Sequence, residues 1–169
     1  IGGVFRLKEV KQPLLWLEVA EYVSTRYDGD LRFVILGDGP MWETCQDWLI
    51  NSEISDKVEM VGFSDEVQNW LHSFDILLQT SLVEGLPNTI IEAQVCGVPV
   101  VTTDAGGSGE ALVDGVTGFV SSGFDVSEIG DLVLKVLSDP EWSSNAKRES
   151  IVWAKENFSI DTLYDKLGF

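Results

Sequence analysis

Short, nearly continuous apolar runs alternate with longer amphipathic stretches along this chain, and that alternation leaves few folds open. The runs fall at residues 1–5, 32–36, 58–61, 76–79 and 98–102, with a shorter one at 118–120. Phe33-Val34-Ile35-Leu36 and Val98-Pro99-Val100-Val101 carry no polar interruption. A strand wetted on one face alternates polar and apolar residues, whereas a strand apolar throughout is covered on both faces. Helical patterns at 13–27, 41–52, 66–73 and 88–96 separate the runs, and beyond Phe124 the pattern is helical at 126–137, 140–157 and 160–166. Strands separated by helices predict an α/β fold: a Rossmann-like parallel sheet with helices on both faces. A length of 169 residues suits one domain with a core large enough to fold.

In such a sheet ligands bind outside the carboxyl ends of the strands. Five loops fall there: Arg6 after the first strand, Gly37-Asp38-Gly39-Pro40 after the second, Gly62-Phe63 after the third, then Glu84 and Gly106-Gly107 after the fourth and fifth. Together they predict a cleft along one edge. Its densest stretch is Glu84-Gly85-Leu86-Pro87-Asn88-Thr89-Ile90-Ile91-Glu92. Pro87 suits a helix start, where its missing N–H costs nothing, and Gly97 suits the position just past a helix end. Glu84 therefore belongs in the loop leaving a strand and Glu92 about one turn into the next helix. Unpaired N–H groups at that helix start form an anion site. Acids beside an anion site fit a phosphorylated sugar, whose hydroxyls they would bind. Complementing the helix dipole is the plainer reading of both acids.

Arg6 and Lys11 lie five apart at the first strand–helix junction, and their cationic side chains can reach a diphosphate, Arg as a fork and Lys as a point charge. Lys8 reads as a bystander. Gly37-Asp38-Gly39-Pro40 is a tight turn without G-x-G-x-x-G spacing, hence structural. Gly106-Gly107-Ser108-Gly109-Glu110 suits either a nest of N–H groups or a plain connecting loop. His72 has no partner at ligand spacing and reads as structural, and no metal site is evident. Two cysteines, Cys45 and Cys96, are too few for a disulfide scaffold and read as reduced thiols, Cys96 as a small buried residue. With 28 acids against 11 bases, the net charge of −17 disfavours nucleic acid and anionic membranes as partners. No signal peptide or membrane-span-length apolar run is present, so a cytoplasmic location is expected. The chain opens without Met on strand-like Ile1-Gly2-Gly3-Val4-Phe5, as a segment of a longer protein would.

The linked run Glu84-Gly85-Leu86-Pro87, Glu92-Ala93, Gly97-Val98-Pro99-Val100-Val101, Gly106-Gly107-Ser108-Gly109-Glu110 and Asp114-Gly115-Val116-Thr117-Gly118 resembles the donor-binding half of retaining family-4 (group 1) glycosyltransferases of the GT-B fold. The resemblance spans nearly the whole chain. It implies that residues 1–169 are the C-terminal, nucleotide-sugar-binding domain, with the N-terminal acceptor domain absent. Arg6 and Lys11 then hold the donor's phosphates, with Gly3 close by, and Gly62 and Phe63 border the nucleobase. Phe63 as a core residue remains the other reading. Gly85, Leu86, Pro87, Asn88 and Thr89 contact sugar and phosphates, Asn88 or Thr89 also serving as a helix cap. Glu92 accepts from the ribose hydroxyls and Glu84 faces the transferred sugar. The implied reaction moves a hexosyl group from a nucleoside diphosphate sugar to an acceptor hydroxyl with retention. No cofactor beyond that donor is implied, and no turnover is expected without the N-terminal half. Partners would be that half and a glycan or lipid-linked acceptor, and a lipid-linked acceptor would draw the parent to a membrane surface. A non-catalytic nucleotide-sugar-binding or partner-docking module on the same fold is the rival reading. A sugar-nucleotide epimerase fits the Glu84–Glu92 region less well, and a glycosidase pair would leave Arg6 and Lys11 idle.

Overall fold

A computed structural model describes residues 1–158. Its strands are β1 (Gly2–Val4), β2 (Phe33–Leu36), β3 (Val58–Gly62), β4 (Leu77–Gln79), β5 (Val100–Thr103) and β6 (Gly118–Ser121). The helices are α1 (Pro13–Ser24), α2 (Trp42–Ile50), α3 (Val67–Ser73), α4 (Asn88–Val95), α5 (Val126–Ser138) and α6 (Pro140–Phe158). Short 3-10 turns lie at Glu9–Lys11 and Gly107–Glu110. The sheet order is β3-β2-β1-β4-β5-β6, and every pairing is parallel. This is the doubly wound order, with its topological switch point between β1 and β4.

The apolar runs explain the two faces. Phe33, Ile35, Ile76, Leu78 and Val101 enter one core with α1 and α5, while Val34, Leu77 and Val100 turn to the other with α3 and α4. Successive side chains point to opposite faces, so a run buried on both has to be apolar throughout. Trp16 is fully buried at the centre of the larger core, and its indole N–H donates to the Leu78 carbonyl at 3.0 Å. That bond offsets the cost of burying the polar end of the ring. Replacing such an aromatic by Ala costs about 3–5 kcal/mol.

Helix boundaries follow local chemistry. Pro13 opens α1, Asp125 caps α5 by accepting from Glu128 N–H, and Gly97 ends α4 at φ 70°, a conformation few other residues adopt. The expected strand at 98–102 begins two residues later, because Val98 N–H still closes the end of α4 onto the Ala93 carbonyl at 2.8 Å and Pro99 has no N–H to donate. The expected helix at 13–27 ends at Ser24, where Thr25 N–H closes the last turn onto Glu21. The helix expected at 160–166 lies outside the described residues.

Candidate functional site

The carboxyl end of the sheet gathers the loops after β1, β2, β3, β4 and β5. Two of them interlock at the switch point. Leu82 N–H donates to the Val10 carbonyl at 2.8 Å, and Thr80 Oγ1 lies 3.2 and 3.1 Å from the Lys11 and Gln12 carbonyls. These bonds carry Lys11 to Glu84, 73 residues away in sequence, and the two form an ion pair. The Lys11 side chain is 25% exposed and that of Glu84 11%, so water screens the pair only in part.

Glu84 is held by more than its cation. Its Oε1 also accepts from Ser81 Oγ at 2.6 Å and from Gln79 Nε2 at 3.0 Å. Its backbone is fixed as well: Glu84 N–H donates to Ala105 at 2.9 Å, and Gly107 N–H lies 3.4 Å from the Glu84 carbonyl. Gly107 must be glycine here, since a Cβ would sit 2.2 Å from the Gly85 carbonyl oxygen. Gly106 and Gly107 therefore pack as a wall behind Glu84, with Gly107–Glu110 turned into a 3-10 helix.

Lys11 and Arg6 part company. Lys11 turns to Glu84, whereas Arg6 lines an open cleft of about 390 Å³ with Val4, Asp38, Phe63, Val67 and Thr89. Phe63 is 79% exposed, which overturns its reading as a core residue. Gly62 ends β3 at φ 85°, and its carbonyl accepts from Gly37 N–H at 2.7 Å. Gly3 does not reach the cleft edge. It is buried in mid-strand opposite Ile35, where a Cβ would come within 2.7 Å of the Trp16 indole nitrogen. Its missing side chain makes room for Trp16 instead.

Past Glu84 the chain opens to solvent. Gly85 and Leu86 are exposed, and a Cβ on Gly85 would meet nothing. Pro87 occupies the cap position of α4 and no side chain caps that helix, so Asn88 is its first residue rather than its cap. The backbone N–H groups of Asn88 and Thr89 have no acceptor among the described residues. Glu92 lies one turn further on, exposed, its carboxylate without a hydrogen-bond or ion-pair partner among the described residues. One helix start thus offers unpaired donors between two carboxylates, one clamped and one open.

The remaining sequence candidates lie elsewhere. His72 is exposed on α3, its Nδ1 2.8 Å from the Gln68 carbonyl. Cys45 is buried, which pushes its thiol up to about 11. Cys96 is only half-buried rather than enclosed, and its thiol is raised chiefly by burial and secondarily by Glu92. Among the described residues no group of His, Cys, Asp or Glu is placed to hold a metal ion, and no helix is long and apolar enough to cross a membrane. The sequence reading missed Gln79, Thr80, Ser81 and Thr103. The available signal was polar residues placed directly after apolar strand runs, where burial demands partners.

A family model described as "Glycosyl transferases group 1" matches residues 1–153. The Vi polysaccharide biosynthesis protein VipC/TviE of Salmonella typhi is 40% identical over 120 residues, covering 71% of this chain and 21% of that protein. Among solved structures, HepE of Anabaena in complex with UDP superposes with a TM-score of 0.87 at 20% identity, covering 99% of this chain and 46% of that one. The C-terminal domain of a group 1 glycosyltransferase family protein, LpcC, from Francisella tularensis superposes with a TM-score of 0.84 at 21% identity, covering 94% of this chain and 86% of that one. The chain thus spans less than half the length of VipC/TviE and of HepE.

Proposed function

The chain belongs to the group 1 glycosyltransferases, and on that premise we propose that it is the C-terminal donor-binding half of a retaining transferase that takes a uridine diphosphate sugar. The observation that carries this reading is the start of α4, where unpaired N–H groups of Asn88 and Thr89 lie between Glu84 and Glu92 at the switch point of the sheet. Helix N-termini favour phosphate, and carboxylates favour sugar hydroxyls, so this one place suits both ends of a nucleoside diphosphate sugar. The choice of uridine is supported by the bound UDP of the HepE structure, whose fold this chain shares.

In the reaction the sugar–phosphate bond breaks and negative charge gathers on the diphosphate. Arg6, Lys11 and the start of α4 supply positive charge to that leaving group, an electrostatic contribution of the largest kind in catalysis. Glu84 orients the hexosyl group and Glu92 the ribose. The departing phosphate takes the proton of the acceptor hydroxyl, which adds to the same face of the sugar. The acceptor is held by an N-terminal half, and closure of the two halves completes the site. The chain alone therefore binds donor without turnover.

Calorimetric titration with UDP, GDP and ADP tests the proposal. UDP should bind in preference, and Arg6→Ala and Glu92→Ala should each weaken it about tenfold or more, the loss of one charge-assisted contact. Equal binding of all three nucleotides, or binding indifferent to both substitutions, would sink it.

A further inference from the structure

Glu84 is gripped on one oxygen only. Ser81 Oγ, Gln79 Nε2 and Lys11 Nζ all donate to Oε1, while Oε2 has no donor among the described residues. An ionised carboxylate accepts only, so it is the amide nitrogen of Gln79 that faces it. Three donors saturate Oε1 and leave the lone pairs of Oε2 for a ligand. We infer that Gln79 and Ser81 are positioning residues for the donor sugar: they fix the Glu84 carboxylate so that Oε2 accepts a hydroxyl of the transferred sugar. This rests on Glu84 being the sugar contact proposed above.

The two neutral donors have a task that Lys11 cannot perform. Lys11 is the group a diphosphate will compete for, and one ammonium cannot hold two anions at full strength. Gln79 and Ser81 carry no charge, so an arriving phosphate does not draw them away. Both are also anchored. Gln79 is 4% exposed and Ser81 fully buried, and Thr103 Oγ1 from β5 donates to the Ser81 carbonyl at 2.6 Å. Buried polar side chains that lack partners are costly, so these two stay aimed at the carboxylate. An acceptor held this closely contributes to discrimination between ligands with and without the matching hydroxyl.

The test pairs calorimetry with crystallography on the same variants. The wild-type chain, Ser81→Ala, Gln79→Met and Ser81→Thr are titrated with UDP, UDP-glucose and UDP-N-acetylglucosamine. Ser81→Ala and Gln79→Met should each reduce the advantage of the preferred sugar nucleotide over UDP by about fivefold, the size of one ordinary hydrogen bond, because each acts on the sugar only through Glu84. UDP itself should bind within about twofold of wild type, because no phosphate contact changes. Ser81→Thr should restore the advantage, and Ser81→Ala should have no further effect in a Glu84→Ala background. Equal weakening of UDP and sugar nucleotide, or an undiminished effect in that background, overturns the inference. A wild-type chain that binds UDP but gains nothing from the sugar refutes the assignment of Glu84 to the sugar. Crystal structures of the Gln79→Met/Ser81→Ala double variant with UDP bound, where the diphosphate draws on Lys11, decide the positioning role without any sugar: Glu84 should leave its place, and a carboxylate that stays put overturns it.

Discussion

Lys11→Met is the most informative single perturbation of the unliganded chain. The ion pair it removes lies between two limits. Exposed pairs contribute about 0–1 kcal/mol, while removing one partner of a fully buried pair costs about 3–5 kcal/mol. Lys11 is 25% exposed and Glu84 11%, so the desolvated member is the acid. Removing the cation leaves Glu84 with its Ser81 and Gln79 donors, so the carboxylate is not orphaned. The expected cost is therefore about 1–2 kcal/mol, toward the lower part of that span. In a domain of this size that lowers Tm by about 2–8 °C. Glu84→Gln should cost less, about 1 kcal/mol or below, because the freed lysine can hydrate. The double variant should recover part of the sum, with a coupling of about 1 kcal/mol. Urea unfolding of the four chains measures all of this, with an unchanged m-value confirming that only native stability moved. A Lys11→Met chain within about 0.3 kcal/mol of wild type and zero coupling would refute the clamp, since surface substitutions commonly fall in that range.

Gly107→Ala should destabilise the chain by about 1–3 kcal/mol and weaken UDP, because the new methyl collides with the Gly85 carbonyl and pushes the wall off Glu84; wild-type denaturation and titration curves would contradict it. Gly3→Ala should destabilise comparably, by about 1–3 kcal/mol, through Trp16 and Phe5, yet leave UDP affinity per folded molecule intact; a selective loss of affinity would instead place Gly3 at the ligand. At pH 8 a maleimide should modify Cys96 well before Cys45, whose buried thiol stays protonated until about pH 11; equal rates by mass spectrometry would refute the burial of Cys45. The Asp125 carboxyl is held below its ordinary range, first by Ser127 Oγ and then by Glu128 N–H. Its cap is therefore fully in force above the ordinary carboxylate pKa and fades as pH falls through the lowered one. An acid titration of thermal stability should show this loss in wild type and not in Asp125→Ala.

Much of the fold was legible because its signals are local. Phe33-Val34-Ile35-Leu36 is apolar throughout, as a strand covered by helices on both faces must be, and the two cores of the structure take Phe33, Val34 and Ile35 alternately. Pro87 and Gly97 bracket α4 as their backbone preferences require. The chemistry of the cleft edge was legible for a similar reason, since motif loops after parallel strands fall on one side.

Partnership within that edge was decided by tertiary structure. Lys11 lies in sequence beside Arg6, and spacing pairs them; in space Lys11 belongs to Glu84, because β4 inserts beside β1 at the switch point. Strand order is a property of long-range packing and leaves no trace in periodicity. The same holds for Gln79 and Ser81, ordinary polar residues until the loops from β1 and β5 close over them, and for Gly3, whose neighbour is Trp16. The sequence determined which residues form strands, where helices begin and which loops share an edge. Only the packed sheet decided which charges meet there, because that depends on which strands become neighbours.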